Sequence, residues 1–298
     1  MSWRIIYIEE SDYLSLYLDN MKIVKNEEDI LIPLADINTI IIDNYKTTLS
    51  VHLLNALCEN NINVVLCNIE HLPSSLVIPY GGASQASINL RRQIEWDSLQ
   101  KKYVHQQIIK SKIFNQLSVL KHLKKSEEVI NHLETFHSQV ELGDNSNREG
   151  LAAKMYFRAL FGSDFKRFEE DIINAAMNYG YAILRSQIAK YIFAKGYHPS
   201  LGIFHKGPTN LFNLADDIIE PFRPHIDLWV HNHLTNEKIF TKDHRLELIK
   251  LTTHNIEFKD VKQTVTNTIR EYIDHIISIL ESNEEKQIHH PRLLFNGL

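Results

Sequence analysis

The sequence predicts an α+β protein in which a small β-sandwich-like domain precedes a larger, all-α domain. Up to residue 80, the apolar residues fall in short β-branched or aromatic runs of strand length. The segment Pro79-Tyr80-Gly81-Gly82-Ala83-Ser84 then interrupts the chain with one proline and two glycines. Beyond it, apolar residues recur at helical spacing. We therefore expect a β domain over 1–80, a linker over 81–86 and a helical domain over 87–298.

Short apolar runs predict the elements of the first domain. Leu49–Asn60 is expected to be its one helix, because Leu49, Leu53, Leu54 and Leu57 recur at helical spacing. Asp19-Asn20 is expected to form a hairpin turn. Strands are expected at 3–8, 13–18, 21–25, 30–32, 39–42, 63–67 and 75–78. This set indicates a small sandwich with a helical cover.

Helical periodicity and capping residues predict the second domain. Ser126 is a plausible N-cap, and Asn147 opens a helix that should end at Gly162. Helices are expected at 84–123, 126–140, 147–160, 169–195, 213–220, 226–233, 244–252 and 262–281.

The composition of the 298 residues is that of an ordinary globular protein, 44% hydrophobic and 23% charged. Cys58 and Cys67 are the two cysteines and form no C-x-x-C pair, which argues against a thiolate zinc site and favours free thiols. The N-terminus is charged too early for a signal peptide, and no run is long enough to span a membrane. We expect a cytoplasmic protein.

The charge is unevenly distributed along the chain. The formal net charge is −5, which argues weakly against a nucleic-acid partner. Residues 1–80 carry 4 Lys or Arg against 11 Asp or Glu, whereas 91–125 carry 9 against 2. This layout can place a basic face against phosphates, but a solvated helix face would give the same pattern.

Glu149, His205 and Glu220 are the candidate metal ligands. Carboxylate oxygens suit Mg²⁺ or Mn²⁺, and one imidazole shifts the preference toward Mn²⁺. Each has an ordinary structural alternative: an acid in a first helical turn, a hydrogen-bonded histidine, and an acid at a helix end before proline. Spacing alone does not select these three residues. The histidines of His231-Asn232-His233 and His289-His290 lack nearby partners at ligand spacing and are expected at the surface.

Four sequence motifs together resemble those of one protein family. They are Asn147–Phe157 around Glu149, Ile173–Tyr181, Gly202-Ile203-Phe204-His205, and Asp217–Pro224, which contains Glu220-Pro221-Phe222-Arg223-Pro224. In this order they resemble the CRISPR adaptation nuclease-integrases of the "Cas one" family, over nearly the whole chain. The opening Ser2-Trp3-Arg4 and the word Asn147-Arg148-Glu149-Gly150 look like the branch found with type II systems.

The resemblance implies a metal-dependent DNA endonuclease and integrase. It implies that Glu149, His205 and Glu220 are catalytic residues that hold Mg²⁺ or Mn²⁺. The reaction would be transesterification, in which prespacer 3′-hydroxyl ends attack a CRISPR repeat. Asp217, one turn before Glu220, would support a ligand or help place a second cation. Candidate DNA contacts near the motif words are Arg148, Lys154, Arg158, Lys206 and Arg223, although Arg148 and Arg223 could equally be structural hydrogen-bond forks.

The resemblance also implies partners. They are a second copy of the chain, joined through the β domain; a small "Cas two" dimer that bridges two integrase dimers; double-stranded prespacer DNA; and CRISPR repeat DNA. Two other functions remain open from the residues. One is a catalytically idle DNA-binding scaffold, and the other is an unrelated metal-dependent hydrolase of small phosphate esters.

Overall fold

The computed structural model describes residues 4–10, 13–25, 28–79, 85–282 and 287–295. The predicted linker at 81–86 lies outside the described residues as far as residue 84, as do Ser2 and Trp3. The chain divides into two compact units. One holds the described residues up to Ser87 with Phe193–Tyr197, and the other holds Ile88–Ile192 and the described residues from His198 onward.

The first unit contains two four-stranded sheets and one helix. Its elements are β1 Arg4–Ile8, β2 Tyr13–Tyr17, β3 Asn20–Lys25, β4 Glu28–Pro33, β5 Ile37–Ile42, β6 Thr48–Leu49, α1 Val51–Glu59, β7 Asn63–Cys67 and β8 Pro73–Val77. One sheet has the order β1-β5-β7-β8, with β8 antiparallel to β7 and the other neighbours parallel. The second has the order β4-β3-β2-β6. The two sheets confirm the predicted sandwich-like domain.

Both sheets and α1 contribute to one apolar core. Leu14 and Met21 come from the second sheet, Ile40 and Val64 from the first, and Leu53 from the helix, and all five are fully buried. The helix therefore covers the core as the leucine spacing predicted.

One turn in the first unit differs from the prediction. Tyr17 pairs with Asn20, so the turn between β2 and β3 is Leu18-Asp19 and not Asp19-Asn20. Leu18 has a left-handed backbone with φ of 52°, which leucine rarely adopts, and so the sequence gives no signal for it.

The second unit is mainly helical. Its elements are α2 Ala86–Glu95, α3 Ser98–His122, α4 Glu127–Ser138, α5 Arg148–Phe161, α6 Ile172–Ala194, α7 Asn213–Ile219, α8 Arg223–Leu234, α9 Lys242–Lys250, β9 Asn255–Phe258, β10 Val261–Thr264 and α10 Val265–Ser282. A 3-10 turn at Glu220–Phe222 joins α7 to α8. The long helix predicted over 84–123 is two helices, because Asp97 caps α3 by accepting the amides of Leu99 and Gln100.

The hairpin β9–β10 corrects the expectation of an all-α second domain. Its strands pair antiparallel across a two-residue turn, Lys259-Asp260, in which both residues have positive φ. Such turns normally carry asparagine or glycine, so this one has no sequence signature. The helix predicted from Lys262 begins at Val265 instead.

The helix α3 is the centre of the second unit. Its side chains are buried on several faces, including Val104, Ile108, Asn115 and Leu120. Asn115 donates hydrogen bonds to the backbone oxygens of Pro221 and Pro291, so α3 fixes the turn after Glu220. Among the described residues, no helix is both long enough and apolar enough to cross a membrane. Cys58 and Cys67 are not joined in a disulfide bond.

Candidate metal centre

The start of α5 positions Glu149. Asn147 is the N-cap, and its side-chain oxygen accepts the amide of Gly150 at 3.2 Å. The buried carboxylate of Asp144 accepts the amides of Arg148 at 2.8 Å and Glu149 at 3.0 Å. These bonds satisfy amides of the first turn that have no partner within the helix. These bonds fix the backbone of Glu149, and its half-buried side chain extends from this fixed position.

The turn after α7 positions Glu220. It is the first residue of the 3-10 turn Glu220–Phe222, and its side chain is 6% exposed. The side chain of Arg223 lies one turn later, with its Nε 3.0 Å from Glu220 Oε1. Burial alone would raise the pKa of Glu220, but Arg223 and Lys112 outweigh it and lower this pKa. Glu220 is therefore an ionised carboxylate in a buried position.

Asp217 positions His205. One Asp217 oxygen accepts the amides of Ile203 at 2.6 Å and Phe204 at 3.1 Å. The other accepts the His205 amide at 3.1 Å and lies 2.7 Å from His205 Nδ1. This hydrogen bond is the main cause that raises the pKa of His205, and burial opposes it. In the tautomer that donates Nδ1–H to Asp217, Nε2 keeps its lone pair and can bind a metal.

Gly202 permits this arrangement. A Cβ at this position would lie 2.4 Å from the backbone oxygen of His205 and 2.9 Å from an Asp217 oxygen. Any side chain would push the loop away from Asp217. The glycine in the word Gly202-Ile203-Phe204-His205 is thus required by the close approach of the loop to α7.

Lys112 connects the two glutamates. It projects from the middle of α3, and its Nζ lies 2.6 Å from Glu149 Oε1 and 2.5 Å from Glu220 Oε2. Burial would lower the pKa of Lys112, but Glu149 and Glu220 outweigh burial and raise it. The two carboxylates therefore face a single cationic atom.

A family profile described as "CRISPR associated protein Cas1" matches residues 6–256. The chain belongs to the Cas1 family. The "CRISPR-associated endonuclease Cas1" of Neisseria meningitidis serogroup C is 34% identical over 297 residues, 99% of this chain and 97% of its own.

Solved structures show the Cas1 fold. A "Casposase bound to integration product" has a TM-score of 0.77 at 18% identity and covers 95% of this chain and 92% of its own. A chain of a "Partial Cas6-RT-Cas1–Cas2 complex" has a TM-score of 0.65 at 17% identity and covers 99% of this chain and 100% of its own. At these identities the likeness establishes the fold alone.

The structure brings the Cas1 sequence words together only in part. Glu149 and Glu220 meet at Lys112, and His205 meets Asp217. Over the described ranges of the chain, no three His, Cys, Asp or Glu side chains lie close enough to hold a metal ion. The donor chemistry nevertheless fits a cation, because the buried carboxylate of Glu220 and the half-buried carboxylate of Glu149 already share one. Glu220 also contributes to raising the pKa of His205, after the larger effect of Asp217.

The predicted DNA contacts fall into two groups in this Cas1 chain. Lys154, Arg158 and Lys206 are exposed to solvent. Arg223 instead contacts Glu220 and lies over the Tyr181 ring at 4.5 Å, and Arg148 lies over the Phe136 ring at 5.7 Å. The two arginines therefore have structural contacts.

Sequence reasoning did not find Lys112, Asp144 or His105. Lys112 is one of nine cations in the basic stretch 91–125, and nothing in the linear pattern separates it from the others. Asp144 precedes a capping asparagine, a signal that could have been used. His105 is buried and stacks on Phe204 with ring centroids 3.8 Å apart, and only the fold brings these rings together.

Proposed function

We propose that this chain is a divalent-metal-dependent DNA endonuclease and integrase of CRISPR adaptation. It joins the 3′-hydroxyl ends of double-stranded prespacer DNA to the CRISPR repeat by transesterification. One observation carries the proposal. In the fold, the carboxylates of Glu149 and Glu220 contact the same cationic atom, and the imidazole of His205 is held by Asp217. The relative from Neisseria, named an endonuclease, supports the nuclease activity.

Glu149, Glu220 and Nε2 of His205 would hold Mg²⁺ or Mn²⁺. Both ions accept carboxylate oxygen, and the imidazole favours Mn²⁺. When bound, the ion would act as a Lewis acid on the scissile phosphate. Asp217 holds the proton on Nδ1 of His205, which keeps Nε2 directed away from α7 as an acceptor.

The reaction needs no covalent bond to the protein. The prespacer 3′-hydroxyl loses its proton and its oxygen bonds to the phosphorus, while the repeat strand's own oxygen leaves and takes up a proton, so one phosphodiester replaces another. The protein positions the two strands and neutralises phosphate charge. The exposed Lys154, Arg158 and Lys206 are suited to phosphate contacts, which orient DNA without reading its sequence.

The same proposal includes partners. The Cas1–Cas2 complex among the similar folds supports a Cas2 dimer that bridges two dimers of this chain. The casposase bound to its integration product supports prespacer and repeat DNA as substrates. Such an assembly would set the length of the spacer by the distance between its two active centres. We propose that it acts in the cytoplasm.

Single substitutions test the site. Glu149→Ala, His205→Ala and Glu220→Ala should each abolish joining of labelled prespacer to repeat DNA in Mn²⁺ and weaken Mn²⁺ binding by calorimetry, while circular dichroism stays unchanged. Glu127→Ala is the matched control for Glu149, because Glu127 is also an acid in the first turn of a helix. A variant that joins DNA at the unaltered rate would remove its residue from the site.

The two other functions give different results in the same assays. A scaffold would bind duplex DNA but neither cut nor join it when Mn²⁺ is restored after chelation. A small-ester hydrolase would turn over a phosphate ester that duplex DNA does not inhibit. Either result would overturn the proposal.

A further inference from the structure

Lys112 occupies the space that the two glutamates share. Its ammonium is within ion-pair distance of one oxygen from each carboxylate, and its side chain is 11% exposed. The charge it neutralises is the charge that would attract a metal ion. The same oxygens cannot bind an ammonium and a metal at full strength together.

The two glutamates have cationic partners without a metal. Lys112 contacts both carboxylates, and Arg223 contacts Glu220. A divalent ion bound to the same oxygens would lie beside the Lys112 ammonium. Like charges in a buried setting repel strongly, so some positive charge has to leave.

Of the two cations, Lys112 is the one able to leave. Arg223 is held on a second side by the Tyr181 ring, and its guanidinium is planar and rigid. Lysine carries a compact charge on a flexible four-carbon stem, so its ammonium can move several ångströms by rotation about side-chain bonds. The main chain of α3 need not move.

We propose that Lys112 is an internal counter-ion that competes with the divalent cation for Glu149 and Glu220 and withdraws from between them when the cation binds. It is a positioning residue: in the metal-free protein it holds the two carboxylates together against their mutual repulsion. This inference rests on the proposed metal site formed by Glu149, His205 and Glu220.

Replacement of the ammonium tests the competition. Lys112→Met keeps most of the length of the unbranched side chain and removes its charge. We expect Mn²⁺ to bind this variant about tenfold tighter or more, since it no longer displaces a cation. The metal-free variant should unfold at a lower temperature, and Mn²⁺ should raise its unfolding temperature by more than it raises that of the unaltered chain.

The matched control is Lys121→Met on the same helix. Lys121 also pairs with a glutamate, Glu134, at 2.7 Å, but both side chains are about half exposed. It should leave Mn²⁺ affinity unchanged. If the role of Lys112 is purely structural, Lys112→Met should be less stable than the unaltered chain and should bind Mn²⁺ equally or more weakly. That result would overturn the inference.

If Lys112→Met does not fold, a crystal structure of the unaltered chain grown with Mn²⁺ tests the inference. The ion should lie against both glutamates with Nζ withdrawn from them. An ammonium that remains between the glutamates would overturn the competition. If instead Mn²⁺ binding to the unaltered chain did not depend on Glu149, the proposed metal site itself would be wrong.

Discussion

At the scale of single residues, Asp217 determines more of the geometry than any of the three candidate ligands. It is 1% exposed, and each of its oxygens accepts two N–H groups from the stretch Ile203–His205. A carboxylate with both oxygens engaged in this way has little capacity left for a second cation. The geometry favours Asp217 as the support of His205 over the alternative role that the sequence left open.

Asp217→Asn should weaken Mn²⁺ binding by about 10- to 100-fold, the usual effect of removing a partner of a ligating histidine. The amide has one acceptor oxygen in place of two, so either the imidazole or the loop amides lose their partner. Calorimetry with Mn²⁺ measures the change. Asp216→Asn is the control, because the adjacent Asp216 faces Arg185 and Asn210 instead. Equal affinities of the two variants would contradict this role.

The candidate ligands could be proposed from the sequence because each lies in a short local motif, which can be recognised without knowledge of the fold. Lys112 was not predictable, because it reaches the site from a helix 37 residues before Glu149. The periodicity of α3 gives no help, since this helix is buried on several faces and carries polar residues among the apolar ones. Long-range partners of this kind require the tertiary structure.

At the scale of elements, the termini of helices were predicted better than the hairpin. Helix α5 begins after Asn147 and ends before Gly162 as expected, because helix caps depend on a few adjacent residues. The hairpin β9–β10 was missed because its strands are four residues each and its turn, Lys259-Asp260, lacks the usual residues. Short strands are decided by tertiary packing, here the burial of Ile256 and Phe258.

The C-terminal segment 287–295 is attached through histidines that must stay neutral. His275 Nε2 accepts the amide of His289 at 3.0 Å, which a protonated imidazole cannot do. Burial first, and then Lys259 and His289, lower the pKa of His275 to about 4. Burial, with His275, His137, His289 and Arg292, does the same for His290. These histidines prefer the neutral form in the folded chain.

The free energy of unfolding should therefore fall as the pH drops from the ordinary histidine value of 6.5 toward about 4. The folded-state pKa values lie below the unfolded ones, so the unfolded chain takes up protons first. Urea unfolding across this range measures the loss. The double variant His275→Gln, His290→Asn should make the dependence less steep, whereas His132→Gln, at an exposed site, should not. The buried His225, whose pKa is lowered to about 3, accounts for part of the remaining slope. A slope that the double variant leaves unchanged would place its origin elsewhere.

At the scale of the whole molecule, the β unit presents apolar residues to solvent. On and beside β2 and β4, Tyr13, Tyr17, Leu18, Ile30 and Leu31 are 45–75% exposed. An exposed apolar group of this kind is typical of a protein interface. It supports the proposed homodimer through this unit.

Leu18→Asp with Leu31→Asp should convert the dimer to a monomer. A buried carboxylate at an interface is strongly unfavourable without a partner. Sedimentation at micromolar concentration should give about twice 34.7 kDa for the unaltered chain and the single mass for the variant. Leu211→Asp with Ile239→Asp is the control, because both residues are exposed in the helical unit. A dimer that survives the first pair of changes would contradict this interface.

The salt dependence of DNA binding should report on α5. Each phosphate contact contributes about −0.9 to the slope of log affinity against log salt concentration. Lys154→Glu with Arg158→Glu should therefore make the slope shallower by about two. Lys238→Glu, an exposed lysine between α8 and α9, is the control. An unchanged slope would show that α5 does not touch the DNA backbone.

In the proposed function, the four N–H groups bound by Asp217 also bear on the shape of the bound DNA. A loop fixed at three successive amides cannot follow an approaching strand without breaking bonds to a buried carboxylate. The adjustment then falls on the duplex. The elastic cost of kinking DNA depends on the base step, and pyrimidine–purine steps deform most easily. A rigid protein loop can thus confer a preference for the repeat boundary at base pairs that no side chain contacts.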